Sequence, residues 1–161
     1  MSDDARRPFR PPKSLQARAV GYLARREYSR AELRGKLLAA GAAAPGTTAE
    51  EVDAVLDLLV TQGYLSDARF AKAVVHQKSG AFSKRAIAHA LKSKGVTGDA
   101  VTEALSGGEI DDAAALVALW RRKFGKAPAN DREKARQIRF LQSRGFALSA
   151  IFKLLREPPL E

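Results

Sequence analysis

The chain has 161 residues with 28 Lys/Arg against 18 Asp/Glu, a formal net charge of +10, and no cysteine. Disulfides and thiolate metal sites are therefore excluded, and no apolar run approaches the ~18 residues of a membrane span. Basicity of this size favours a polyanionic partner, and a cysteine-free chain whose opening MSDDARRPFRPPK holds no signal-peptide core is expected in the reducing cytoplasm.

Residues 1–13 combine three prolines with four Arg/Lys and almost no apolar content, which predicts a disordered basic arm. Ser14 can cap a first helix with Leu15, Ala19, Tyr22 and Leu23 facing inward. Ser29 opens a second, with Glu32 at the capping-box position and Gly41 as its stop. A third runs from about Thr48 with Val52, Val55, Leu56 and Leu59 inward. After Gly63 the pattern starts again. Leu65 and Ser66 precede a helix burying Phe70, Ala71 and Val74, then Ser83 opens another, and Thr97 to Leu105 is a short one carrying Val101 and Leu105. Gly107–Gly108 breaks the chain, and Asp111–Asp112 place negative charge at the next helix start, with no metal implied. On that helix Ala113, Leu116, Val117, Trp120 and Phe124 share a face. Asp131 can cap a helix with Ile138 and Leu141 inward and Gly145 at its end. A last helix from about Ala147 presents Ile151 and Leu155 before Pro158–Pro159.

A repeat underlies this order. Ser83, Ile87, Leu91 and Gly95 stand at offsets 0, 4, 8 and 12, as do Ser29, Leu33, Leu37 and Gly41. The expected fold is all-α: three tandem three-helix repeats at 14–63, 64–108 and 109–156, stacked into an elongated, curved arrangement, with a tail at 157–161. No pair of alternating β-branched runs is joined by a hairpin dipeptide, so no strand is predicted.

The charge is unevenly placed. Residues 119–156 carry eleven Lys/Arg against two Asp/Glu, whereas residues 31–118 carry nine against eleven. Arg132, Arg136 and Arg139 fall close together on the eighth predicted helix, with Arg121, Arg122, Lys123, Lys126 and Arg144 near in sequence. They make a candidate polyanion-facing surface. Arg25, Arg26 and Arg30 form a second basic group, where a helix C-terminus favours cations in any case. Arg25 or Arg30 is the better choice for a partner contact. Trp120 and Phe124 are assigned to the core, leaving Phe140 as the aromatic open to base stacking. Enzymatic chemistry is not expected. His76 and His89 lack a partner at ligand spacing, no phosphate-binding glycine motif occurs, and no cofactor is called for.

The segments REYSRAEL (26–33), GYLSDARFA (63–71) and RGFALSAI (144–151), in this order and spacing, resemble the signatures of the RecX family, bacterial regulators of the RecA recombinase. The resemblance covers about residues 15–156. It implies three tandem three-helix repeats and a non-catalytic protein that binds the RecA–single-stranded DNA filament along its groove. Members most often restrain filament extension, ATPase and strand exchange, in the setting of homologous recombination, DNA repair and the SOS response. A monomer is expected, contacting the RecA filament, the single-stranded DNA within it and, in some members, free DNA. The alternative is a direct DNA-binding regulator made of tandem helix-turn-helix units. Charge separates the two, because Thr48–Thr61 carries Glu50, Glu51, Asp53 and Asp57 with no cation, and Thr97–Leu105 carries Asp99 and Glu103 with none.

Overall fold

A computed structural model describes residues 13–39, 46–108 and 110–159. Residues 1–12 of the predicted arm, the stop expected at Gly41 and the last two residues lie outside the described residues. Among the described residues there are nine α-helices and no strand, so the chain is all-α.

Local chemistry sets the helix starts. Ser14, Ser29 and Thr48 cap α1 (Leu15–Leu23), α2 (Arg30–Leu38) and α3 (Ala49–Thr61), each side-chain oxygen accepting from the N–H three residues on. Ser66 and Ser83 do the same for α4 (Asp67–Lys78) and α5 (Lys84–Ser93). Asp111 caps α7 (Asp112–Lys123). The cap of α8 (Asp131–Ser143) is Asn130, one residue before the aspartate expected there. Two helices start without a side-chain cap: α6 (Asp99–Ser106), which begins two residues later than expected behind Gly98 at φ 66°, and α9 (Leu148–Arg156).

The helices pack in threes, the third of each set lying on the two before it. Each set has its own buried cluster. The first holds Ala19, Leu33, Leu37, Val52, Leu56 and Leu59, the second Phe70, Ala71, Val75, Ile87, Leu91 and Ala104, and the third Leu116, Leu119, Trp120, Leu141, Ile151 and Leu154. Five inward assignments shift. Leu154 rather than Leu155 is buried on α9, Leu119 rather than Ala113 on α7, Val75 rather than Val74 on α4 and Ala104 rather than its neighbours Val101 and Leu105 on α6, and Leu65 completes the first cluster rather than opening the second. Apolar burial of this kind is worth about 1.5–3 kcal/mol per large side chain and dominates each unit.

The units are joined by two analogous contacts, which share the aspartate and differ in the group that donates to the carbonyl. The buried Ser29 hydroxyl donates to the Lys94 carbonyl at 2.7 Å, while the Arg30 N–H donates to Asp67 at 2.8 Å. At the second joint the buried Ser83 N–H donates to the Arg144 carbonyl at 3.0 Å, while the Lys84 N–H donates to Asp112 at 2.8 Å. Each time, the first turn of a unit's middle helix is seated on the left-handed glycine that ends the next unit's middle helix. The next unit's first helix supplies an aspartate to the exposed N–H. Gly95 (φ 76°) and Gly145 (φ 89°) serve two needs here, since a Cβ on Gly95 would stand 2.5 Å from Ala31 Cβ and one on Gly145 2.6 Å from Ala86 Cβ.

Candidate functional site

Arg132, Arg136 and Arg139 stand at offsets 0, 4 and 7 on α8 and are all exposed. None of the three has a hydrogen-bond or ion-pair partner among the described residues. The two acids of that helix do not neutralise them. Glu133 is turned back to accept from the Ala129 N–H at 2.7 Å, and Asp131 sits in the first turn, where the helix dipole favours it. Ridge and setting come from the core behind. Trp120 is fully buried and donates from Nε1 to Gln137 Oε1 at 2.9 Å, and Gln137 Nε2 donates to the Lys126 carbonyl at 3.1 Å. That amide fixes α8 against the turn after α7, so a polar residue absent from the apolar pattern positions the basic face. Its signal in the sequence was only the need of a buried indole N–H for an acceptor.

The remaining candidates sort into free and engaged. Arg122 and Lys126 are exposed, with Lys123, Lys126 and Arg136 around one shallow cavity of about 340 Å³ beside Phe124. Arg121 is exposed and donates to the Pro159 carbonyl at 3.3 Å. Arg144 is half-buried, its guanidinium 4.7 Å from the Phe82 ring centre and 5.1 Å from that of Phe140. It therefore bridges the second and third units as a cation between two aromatic faces.

In the first unit Arg25 is exposed, whereas Arg30 pairs with Asp57 at 2.6 Å and Arg34 with Asp53 at 2.8 Å. These partners draw Asp53 below the ordinary carboxylate range, Arg34 being the chief cause. Arg26 lies 3.6 Å over the Tyr28 ring and pairs with Glu32. The expected capping box at Glu32 is not made, because its carboxylate is held by Arg26 at 3.2 Å and by Lys94 of the second unit at 3.3 Å. Burial raises the Glu32 pKa, but the hydrogen bonds from Arg26 and Lys94 outweigh it, so the carboxyl is held below its ordinary value.

Phe140 is not the open aromatic. It is half-buried, edge-on to Phe124 at 5.5 Å, with Lys123 and Arg144 over its face. Phe152 on α9 is 41% exposed instead, next to Lys134 and Arg156 in a concave patch. Among the described residues no three His/Asp/Glu side chains gather as a metal site, and no helix is long and apolar enough to cross a membrane.

The family model described as the third three-helix domain of RecX matches residues 109–155, and that of the second matches residues 66–105. The chain is 46% identical over 147 residues to the regulatory protein RecX of Leptothrix cholodnii, covering 91% of this chain and 90% of the relative. It is 39% identical to that of Ralstonia nicotianae, covering 91% and 89%. Among solved structures, RecX from Lactobacillus salivarius is similar in fold at a TM-score of 0.63 and 17% identity, covering 89% of this chain and 93% of that one. A second, a regulatory protein RecX, has a TM-score of 0.65 at 20% identity, covering 89% and 73%.

Proposed function

This chain belongs to the RecX family of regulatory proteins, and we propose on that premise that it is a non-catalytic inhibitor of the RecA recombinase. It binds the RecA–single-stranded DNA filament along its groove as a cytoplasmic monomer. There it limits filament extension, ATP hydrolysis and strand exchange. The observation that supports this reading is the run Arg132, Arg136 and Arg139 on α8, exposed and without a partner among the described residues. A face with no charge partner among the described residues has no ion pair to break before it meets phosphates, and each phosphate it neutralises releases counterions.

The first unit presents a different surface. Its Arg30 and Arg34 are taken up by Asp57 and Asp53, and Glu50 and Glu51 remain exposed on α3. A filament offers protein and nucleic acid side by side, so a chain whose first unit is charge-balanced and whose third is strongly basic suits both at once. The same distribution argues against tandem DNA-reading helices, because α3 and the acidic α6 would be repelled from a phosphate-lined groove.

Co-sedimentation tests the reading. The protein should pellet with RecA assembled on single-stranded DNA with nucleotide, and stay in solution with RecA alone. Equal binding to bare duplex DNA and to filaments would favour the helix-turn-helix alternative.

A further inference from the structure

Between the second and third units lies an open groove of about 510 Å³ that the charge pattern of the sequence did not point to. It is lined by Lys78 from the end of α4, Arg85 and His89 from α5, Gln142 and Ser143 from the end of α8, and Leu148 from α9. Among the described residues no carboxylate lines it. One aromatic wall, Phe82, is covered by Lys78 at 4.4 Å and by Arg144 at 4.7 Å.

The groove is the meeting point of two basic stripes. At about 100° per residue, Arg132, Arg136 and Arg139 share an arc of about 120° with Gln142 and Ser143, so the α8 stripe runs into the groove at its C-terminal end. On α5, Arg85, His89 and Lys92 occupy an arc of about 60° and run out of it on the other side. Each stripe extends about 10 Å along its helix at 1.5 Å per residue. Arg85, His89 and Lys92 are exposed and have no ion-pair partner among the described residues.

We infer that the two stripes and the groove form one track for a single strand of nucleic acid, whose phosphates pass from the third unit onto the second. This rests on the reading that the protein engages the DNA of the filament. Two features favour a strand over an acidic protein segment. The cations are spread along two helices rather than gathered in a pocket, which suits a polymer with regularly repeated charge. The groove also offers no deep apolar socket to anchor a peptide side chain, since the Phe82 ring is covered by cations. The middle unit, with seven Lys/Arg against three Asp/Glu over residues 64–108, thereby becomes a contact surface in its own right.

The test is fluorescence anisotropy of a labelled oligothymidylate titrated with the full chain at several NaCl concentrations. Three variants are compared, all checked for unchanged helicity: Lys78→Ala with Arg85→Ala, the triple Arg132→Ala, Arg136→Ala, Arg139→Ala, and all five together. With about 0.7 units of salt slope per phosphate on a single strand, the slope should fall by about 1.4 in the double, 2.1 in the triple and 3.5 in the combination. A double variant with the wild-type slope, or no oligonucleotide binding by the wild type, overturns the track. So does a labelled polyglutamate peptide whose binding is lost in the double while oligonucleotide binding is unchanged, an outcome that assigns the groove to an acidic protein segment. Filament co-sedimentation runs alongside. Wild type that pellets with filaments while the double keeps its slope defeats the track alone. Wild type that fails to pellet defeats the filament reading, whatever the slopes.

Discussion

Gly145 lies directly against Ser83, and the helix cap of the second unit occupies the space that a side chain at 145 would need. Gly145→Ala should therefore combine two costs. The left-handed backbone (φ 89°) adds about 1 kcal/mol for any residue with a Cβ, and the collision with Ser83 and Ala86 forces the joint apart. The expected total is about 2–4 kcal/mol in urea unfolding. Gly63→Ala is the reference, being equally left-handed (φ 80°) but with open space around it, and it should cost only the first part. Equal losses in the two variants would show that the joint gives way freely.

Acid should weaken the first joint through Glu32. Its folded pKa lies below the ordinary carboxylate value of about 4.3 because Arg26 and Lys94 bind the ionised form. The stabilisation is complete above that value and is lost as pH falls through the folded pKa. Urea midpoints measured from neutral pH downward should drop more steeply below about pH 4.3 in the wild type than in Glu32→Gln, with the two curves converging in acid. Parallel curves would contradict the pairing.

Gln137→Leu should cost about 1–3 kcal/mol despite its apolar replacement, because the buried Trp120 N–H and the Lys126 carbonyl lose their partners together. Trp120 is the single tryptophan, so its emission reports the site directly. Stability and emission like those of the wild type would remove the positioning role assigned to Gln137.

Arg144 and Arg132 were equal candidates by charge and should separate by experiment. Arg144→Ala is expected to lower stability by about 1 kcal/mol, as the cation between Phe82 and Phe140 is lost. Arg132→Ala should leave stability unchanged and lower the salt slope of single-strand binding by about 0.7. The reverse pattern in denaturation and anisotropy would exchange their roles.

What the sequence made legible was local. Ser29, Ser83 and Ser66 announce helix starts because a cap acts within three residues, and Leu33, Leu37, Ile87 and Leu91 announce one face because helical spacing is fixed. The exposed arginines of α8 were legible for the same reason. The joints were not. Asp67 and Asp112 look like ordinary first-turn acids, yet each accepts from a backbone N–H of the preceding unit, a relation that no local pattern encodes. Glu32 follows the same rule, its carboxylate going to Arg26 and, across the joint, to Lys94 instead of back to its own helix start. Phe140 is closed by Phe124 and Lys123 at the end of α7 and by Arg144, while Phe152 on α9 stays exposed, and helical spacing alone does not encode which ring a neighbouring helix covers.

The most direct test of the central claim, that the exposed α8 cations engage the filament, is RecA's single-stranded-DNA-dependent ATP hydrolysis with added protein. The wild type should depress turnover, and the triple Arg132→Glu, Arg136→Glu, Arg139→Glu variant, with helicity unchanged, should leave it near the rate of RecA alone. Inhibition by the triple variant equal to that of the wild type would contradict the account.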